Sequence, residues 1–68
     1  MTVNDILTIP NPPDIRILWE EDVCDRQFAE DVWNNWEFGD CPAYIKNRPV
    51  VSLHAETDET LTVGISIT

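Results

Sequence analysis

Cys24, Cys41 and His54, joined by a carboxylate, would supply the ligand types of a zinc site. Their spacing argues against that use. There is no C-x-x-C pair, and Cys24 falls on an apolar stripe, where a thiol serves as a small core hydrophobe. His54 is the single histidine. It could act as a general base with Glu56 on the same strand face, or with an acid elsewhere. A lone histidine on a strand surface is far more often only that. No serine or cysteine stands in a nucleophile motif, and two glycines do not make a phosphate-cradling loop. These residues point to no enzyme, no metal and no cofactor.

The remaining chemistry is charge. The stretch WEEDVCDRQFAEDVWNNWEFGD, residues 19–40, holds eight carboxylates, one arginine and three tryptophans. The whole chain sets thirteen acids against four bases, a net charge of −9. That balance excludes direct nucleic-acid binding, which needs cations to displace counterions from phosphates. It disfavours anionic membranes and favours a basic partner. The composition, 43% apolar and 25% charged, is that of a folded chain rather than an acidic tail.

These residues must be positioned by a small scaffold. Sixty-eight residues make one domain, 1–68, and a core of that size rarely supplies more than about 3–5 kcal/mol of net stability. VNDILTI at 3–9 reads as a weak strand, and Pro10-Asn11-Pro12-Pro13 as a tight connection. DIRILW at 14–19 alternates, with Ile15, Ile17 and Trp19 on one face. Asp22 suits an N-cap, with Asp25 three residues on. Cys24, Phe28, Ala29, Val32, Trp33 and Trp36 follow at helical spacing, and Gly39 and Pro42 suit a helix end. An amphipathic helix is expected at about 22–37. PVVSLHAE and TLTVGISIT alternate as strands, joined by a short loop at 57–59. The expected fold class is α+β, ordered β-β-α-β-β. It has an antiparallel sheet of about four strands, two hairpins, and one helix packed on one face. The pattern leaves open whether AYIK at 43–46 adds an edge strand.

On a helical wheel Phe28, Val32 and Trp36 face the sheet. Glu30, Asp31 and Glu37 point outward, with Trp33 on the rim. A face that needs only solubility can mix lysine with glutamate and gain pairing energy. This one forgoes it. A row of carboxylates on a rigid element approximates the spacing of phosphates on a duplex. A groove lined with lysine and arginine would attract it, and Trp33 would anchor it. Glu20, Glu21, Asp22, Glu30, Asp31, Trp33, Glu37 and Asp40 are the candidate partner-binding residues.

In size, charge, α+β pattern and acidic segment 20–37, the chain resembles small bacteriophage anti-CRISPR proteins of the DNA-mimic type. That resemblance is one of general character and rests on no motif. It implies a stoichiometric inhibitor of a CRISPR effector's DNA-binding subunit, with carboxylates in place of target phosphates and no catalytic residues. The alternative is an inhibitor or antitoxin of a basic nuclease, or a dimeric structural module. The N-terminus has no basic region or long apolar run, so no signal peptide or membrane span is expected. The expected location is intracellular, in the cytoplasm of a bacterial host, with Cys24 and Cys41 as reduced thiols. The chain is expected to be a monomer or weak homodimer.

Overall fold

The computed structural model describes residues 1–56 and 59–66. Thr57 and Asp58 of the expected hairpin loop, and Ile67 and Thr68 of the last alternating run, lie outside the described residues.

Residues 3–9 form helix α1 (Val3–Leu7) rather than a strand. Thr2 and Asp5 explain the difference. The Asp5 carboxylate accepts the Thr2 backbone N–H at 2.9 Å, which satisfies a donor at the helix start. Val3, Ile6 and Leu7 then share a helical face, and Val3 and Ile6 are buried. The proline run follows, with Asn11 in the left-handed region at φ 52°. It delivers the chain to strand β1 (Asp14–Trp19), which lies where the alternation predicts.

The expected helix at 22–37 is absent. A 3-10 helix spans Glu20–Asp25, and the chain then turns and runs extended into strand β2 (Trp33–Asn34). Strand β2 pairs antiparallel with β1, Ile17 opposite Trp33 and Arg16 opposite Asn34. AYIK forms a short helix, α2 (Ala43–Lys46), not an edge strand. Strands β3 (Val50–Ala55) and β4 (Thr60–Ile65) form the expected antiparallel pair.

The sheet has four strands in the order β2-β1-β4-β3. It is mixed, because β1 and β4 run parallel in unbroken register from Asp14↔Thr60 to Trp19↔Ile65. With residues 3–9 helical, β1 has no hairpin partner before it. Its two edges are filled by β2 and β4 instead. The class is α+β.

One cluster of buried residues joins Ile15 and Ile17 of β1 to Val63 and Ile65 of β4. Val3, Ile6, Trp33, Cys41 and Ile45 complete it. Each fully buried aliphatic side chain contributes about 1.5–3 kcal/mol by leaving water. The aromatic assignment is the reverse of the wheel's. Trp33 is 6% exposed, whereas Phe28 is 81% and Trp36 48% exposed. Cys24 is exposed and Cys41 buried, and both are free thiols. On the other face Leu18 and Thr62 are fully buried, and Val23 of the 3-10 helix lies over Gly64. A Cβ at Gly64 would collide with the Ser52 hydroxyl and meet a Val23 methyl at 3.0 Å.

Urea denaturation should therefore rank three variants. Trp33→Ala should lose about 3–5 kcal/mol, as deletion of a buried aromatic does. Gly64→Ala should lose about 1–3 kcal/mol through overpacking. Phe28→Ala should stay within about 0.5 kcal/mol of wild type, as an exposed substitution does.

Candidate functional site

Two asparagines shape the acidic segment. Each offers its side-chain amide to backbone groups that a helix would need for itself. The Asn34 Oδ1 accepts the backbone N–H groups of Trp36 at 3.2 Å and Glu37 at 2.7 Å. That turn carries Trp36, Glu37 and Phe38 outward. The Asn35 Oδ1 accepts the Ile15 N–H at 2.9 Å, and its Nδ2 donates to the Pro13 carbonyl at 3.1 Å. Backbone bonds from Val32 to the Ile17 carbonyl (2.7 Å) and from Asn35 to the Ile15 carbonyl (3.1 Å) hold the segment along β1.

Asp31 is the hinge between two concave surfaces. Its Oδ1 receives Arg16 at 2.6 Å from Nη2 and 2.8 Å from Nε, and its Oδ2 receives Asn34 Nδ2 at 2.8 Å. Arg16 Nη2 also donates to the Ala29 carbonyl at 3.3 Å. Both carboxylate oxygens are thus engaged within the fold. Asp31 does not point freely outward as the wheel had it.

The first surface is a groove of about 360 Å³ lined by Ala29, Glu30, Asp31, Asn34, Glu37 and Phe38. Glu30 and Glu37 are exposed, and Phe38 is 50% exposed. Sequence spacing placed these acids on one helix; here an asparagine-built turn brings them together. Trp33, the expected anchor, is buried in the core. Phe38 and Trp36 stand among the exposed aromatic side chains, with Phe28 and Tyr44, and wheel geometry had no means of finding Phe38 beside the acids. Glu20, Glu21 and Asp22 sit on the 3-10 helix and take no part in the groove, and Asp40 stands exposed beyond it.

The second surface is a cleft of about 540 Å³. Arg16, Asp31 and Thr60 line it together with Cys24, Arg26, Gln27, Trp36 and Glu56. Its charges are matched: Arg16 pairs with Asp31, and Arg26 with Glu56. The Arg26 hydrogen bond, with smaller help from Thr62 and from the charges of Arg26 and His54, holds the Glu56 carboxyl below the usual glutamate range. The Glu56 carboxylate pairs with Arg26, and His54, which the sequence offered as one possible partner, acts on it through its charge. Burial pushes the Cys41 thiol up, opposed by the charge of Lys46.

Of the eight carboxylates in residues 19–40, Asp31 alone forms an ion pair among the described residues. Among those residues no cluster of three or more His, Cys, Asp or Glu could hold a metal ion. No helix there is long and apolar enough to cross a membrane. Comparison with protein-family models, with curated proteins and with solved structures finds no match.

The Glu56 shift has a defined sign. A carboxyl depressed in the folded state adds stability that is complete above the ordinary value of 4.5 and is lost as pH falls through the lower folded value. Melting curves of wild type and Glu56→Gln should therefore differ most at neutral pH and converge as the medium is acidified below the usual glutamate range. Parallel curves across that range would exclude the Arg26–Glu56 pair as the cause. In the native state a thiol reagent should modify Cys24 quickly and Cys41 only on unfolding, by mass spectrometry.

Proposed function

We propose that this chain is a non-enzymatic acidic inhibitor that docks on the basic surface of a nucleic-acid-binding protein, its carboxylates standing in place of phosphates. One observation carries this reading. Seven of the eight carboxylates in 19–40 have no ion-pair partner among the described residues, although the chain has four bases. Unpaired charge on a fold this small costs self-repulsion. A partner of opposite sign would complete it, whereas solubility could be had from a mixed-charge face. The groove gives that partner a shape to read: Glu30 and Glu37 line it together with the half-exposed ring of Phe38. An aromatic anchor between charges combines a desolvated contact with electrostatic steering.

The proposed contact set differs from a simple helix face. Glu30, Glu37, Phe38 and Trp36 form its centre. Glu20, Glu21, Asp22 and Asp40 extend the field that steers approach. Asp31 supports the groove by holding Arg16 and Asn34 in place. The partner needs lysine and arginine in a phosphate-binding groove. The likeness in general character to DNA-mimic anti-CRISPR proteins makes a CRISPR effector's DNA-binding subunit the first target to test. A basic nuclease is the second.

Binding to such a target should weaken steeply with added salt, because mobile ions screen the charges on which it rests. Glu30→Lys with Glu37→Lys should abolish binding and leave the melting temperature near wild type, since both side chains are exposed. Phe38→Ala should weaken binding mainly through faster dissociation, read by surface plasmon resonance. DNA should compete for the target. A target that holds DNA and this chain together with undiminished affinity would rule the mimicry out. Loss of cleavage with DNA binding intact would assign the nuclease reading instead.

A further inference from the structure

We propose that β3 is a self-pairing sheet edge, and that two copies of this chain associate through an antiparallel β3–β3 contact centred on Leu53. This inference is independent of the acidic groove, which lies at the other side of the sheet order.

The two edges of the sheet are unlike. At one, β2 is two residues long, and short edge strands pair poorly. At the other, β3 runs six residues, with neither proline nor lysine within it. The Glu56 N–H donates to the Thr60 carbonyl at 2.8 Å, which marks that pair as hydrogen-bonded across to β4. Antiparallel ladders alternate, so His54 and Ser52 also bond inward while Leu53 and Ala55 turn their N–H and C=O groups away from β4. The side chains of these same residues are uncovered. Leu53 is 43% and Val51 51% exposed, and Ala55 is exposed. Leu53 stands opposite Val63, and so on the sheet face of the buried cluster. The N-terminal segment covers the start of this edge, where Val50 donates its N–H to the Met1 carbonyl at 2.9 Å and Thr2 bridges to Pro49. Beyond Val50 a free backbone edge and a free apolar strip coincide on one strand.

Charge selects the occupant. Lys46 lies just before β3, and Glu59 lies just after it. Lys46 and Glu59 make no ion pair among the described residues. Two copies paired antiparallel about Leu53 bring Lys46, before one strand, toward Glu59, after the other. Val51 of one copy then meets Ala55 of its partner, and Leu53 meets Leu53. A parallel arrangement would put like charges together at both ends. The Met1 contact at Val50 confines the ladder to the short stretch Val51–Ala55. The contact is therefore smaller than a standard stable interface, and association should depend on concentration.

Sedimentation velocity across a concentration series tests this. Wild type should shift from monomer to dimer as concentration rises. The shift should be stronger in high salt, because each copy carries −9 and the two repel. Docking through the acidic groove has the opposite salt dependence, so failure of one proposal is distinguishable from failure of the other. Leu53→Lys should remain monomeric at every concentration with an unchanged circular dichroism spectrum. In a Cys24→Ser background, Leu53→Cys should oxidise to a covalent dimer, since directly opposed residues of such a pair lie about 5.5 Å apart, within disulfide reach. A wild type that stays monomeric to millimolar concentration would overturn the proposal. So would a dimer indifferent to Leu53→Lys, or a Leu53→Cys variant that fails to cross-link.

Discussion

The acidic half of the molecule depends on one short contact, the antiparallel addition of Trp33–Asn34 to the free edge of β1. Without it, β1 would expose its edge and the core would lose Trp33. The contact is short in backbone terms and is reinforced from the side chains. Asn35 bonds to β1 and to the Pro13 carbonyl before it. Asn34 is 1% exposed and organises the next turn. Arg16 reaches out from β1 to clasp Asp31 and the Ala29 carbonyl. Extended chain, turn and groove follow from these bonds, so the acidic surface is a consequence of sheet completion.

That dependence explains which parts of the fold were legible. β1, β3 and β4 could be read because period-two alternation over six residues has no helical equivalent. The stretch 24–36 has helical spacing and still does not fold as a helix. Periodicity scores apolar positions and ignores Asn34 and Asn35, whose side chains compete for the backbone. It also could not weigh a sheet edge in need of a partner. The error at 3–9 has the opposite cause. Thr2 and Asp5 are the ends of a capping pair, and Val3, Ile6 and Leu7 have helical spacing, but β-branched composition suggested a strand. Once that segment is helical, the parallel pairing of β1 with β4 follows.

The candidate site was legible in composition and not in geometry. Glu30 and Glu37 do lie together, on a turn that no wheel describes. Trp33 and Trp36 exchange roles because the larger burial goes to the residue that faces Ile17 across the sheet. Asp31 illustrates the limit of counting charges. It belongs to the acidic run in sequence, yet in space it is the partner of Arg16. Charge excess predicts a field; only the fold decides which carboxylates supply it.

The two proposed surfaces act on different forces, and that separation has a functional consequence. The acidic groove, as proposed, would work through unscreened charge, strongest at low salt and against a partner of opposite sign. The β3 edge works through backbone bonds and apolar contact, and is opposed by the same charge. A second copy on β3 leaves the groove of each copy open, because β2 and β3 occupy opposite ends of the sheet order. A dimer would then present two acidic grooves on one rigid sheet. Against a partner with repeated basic sites, the second contact becomes intramolecular and raises avidity without any new interaction. Against a partner with one site, dimerisation adds nothing and the monomer suffices. On the proposed reading, the geometry of the partner's basic surface, rather than its charge alone, would determine whether the β3 edge contributes to inhibition.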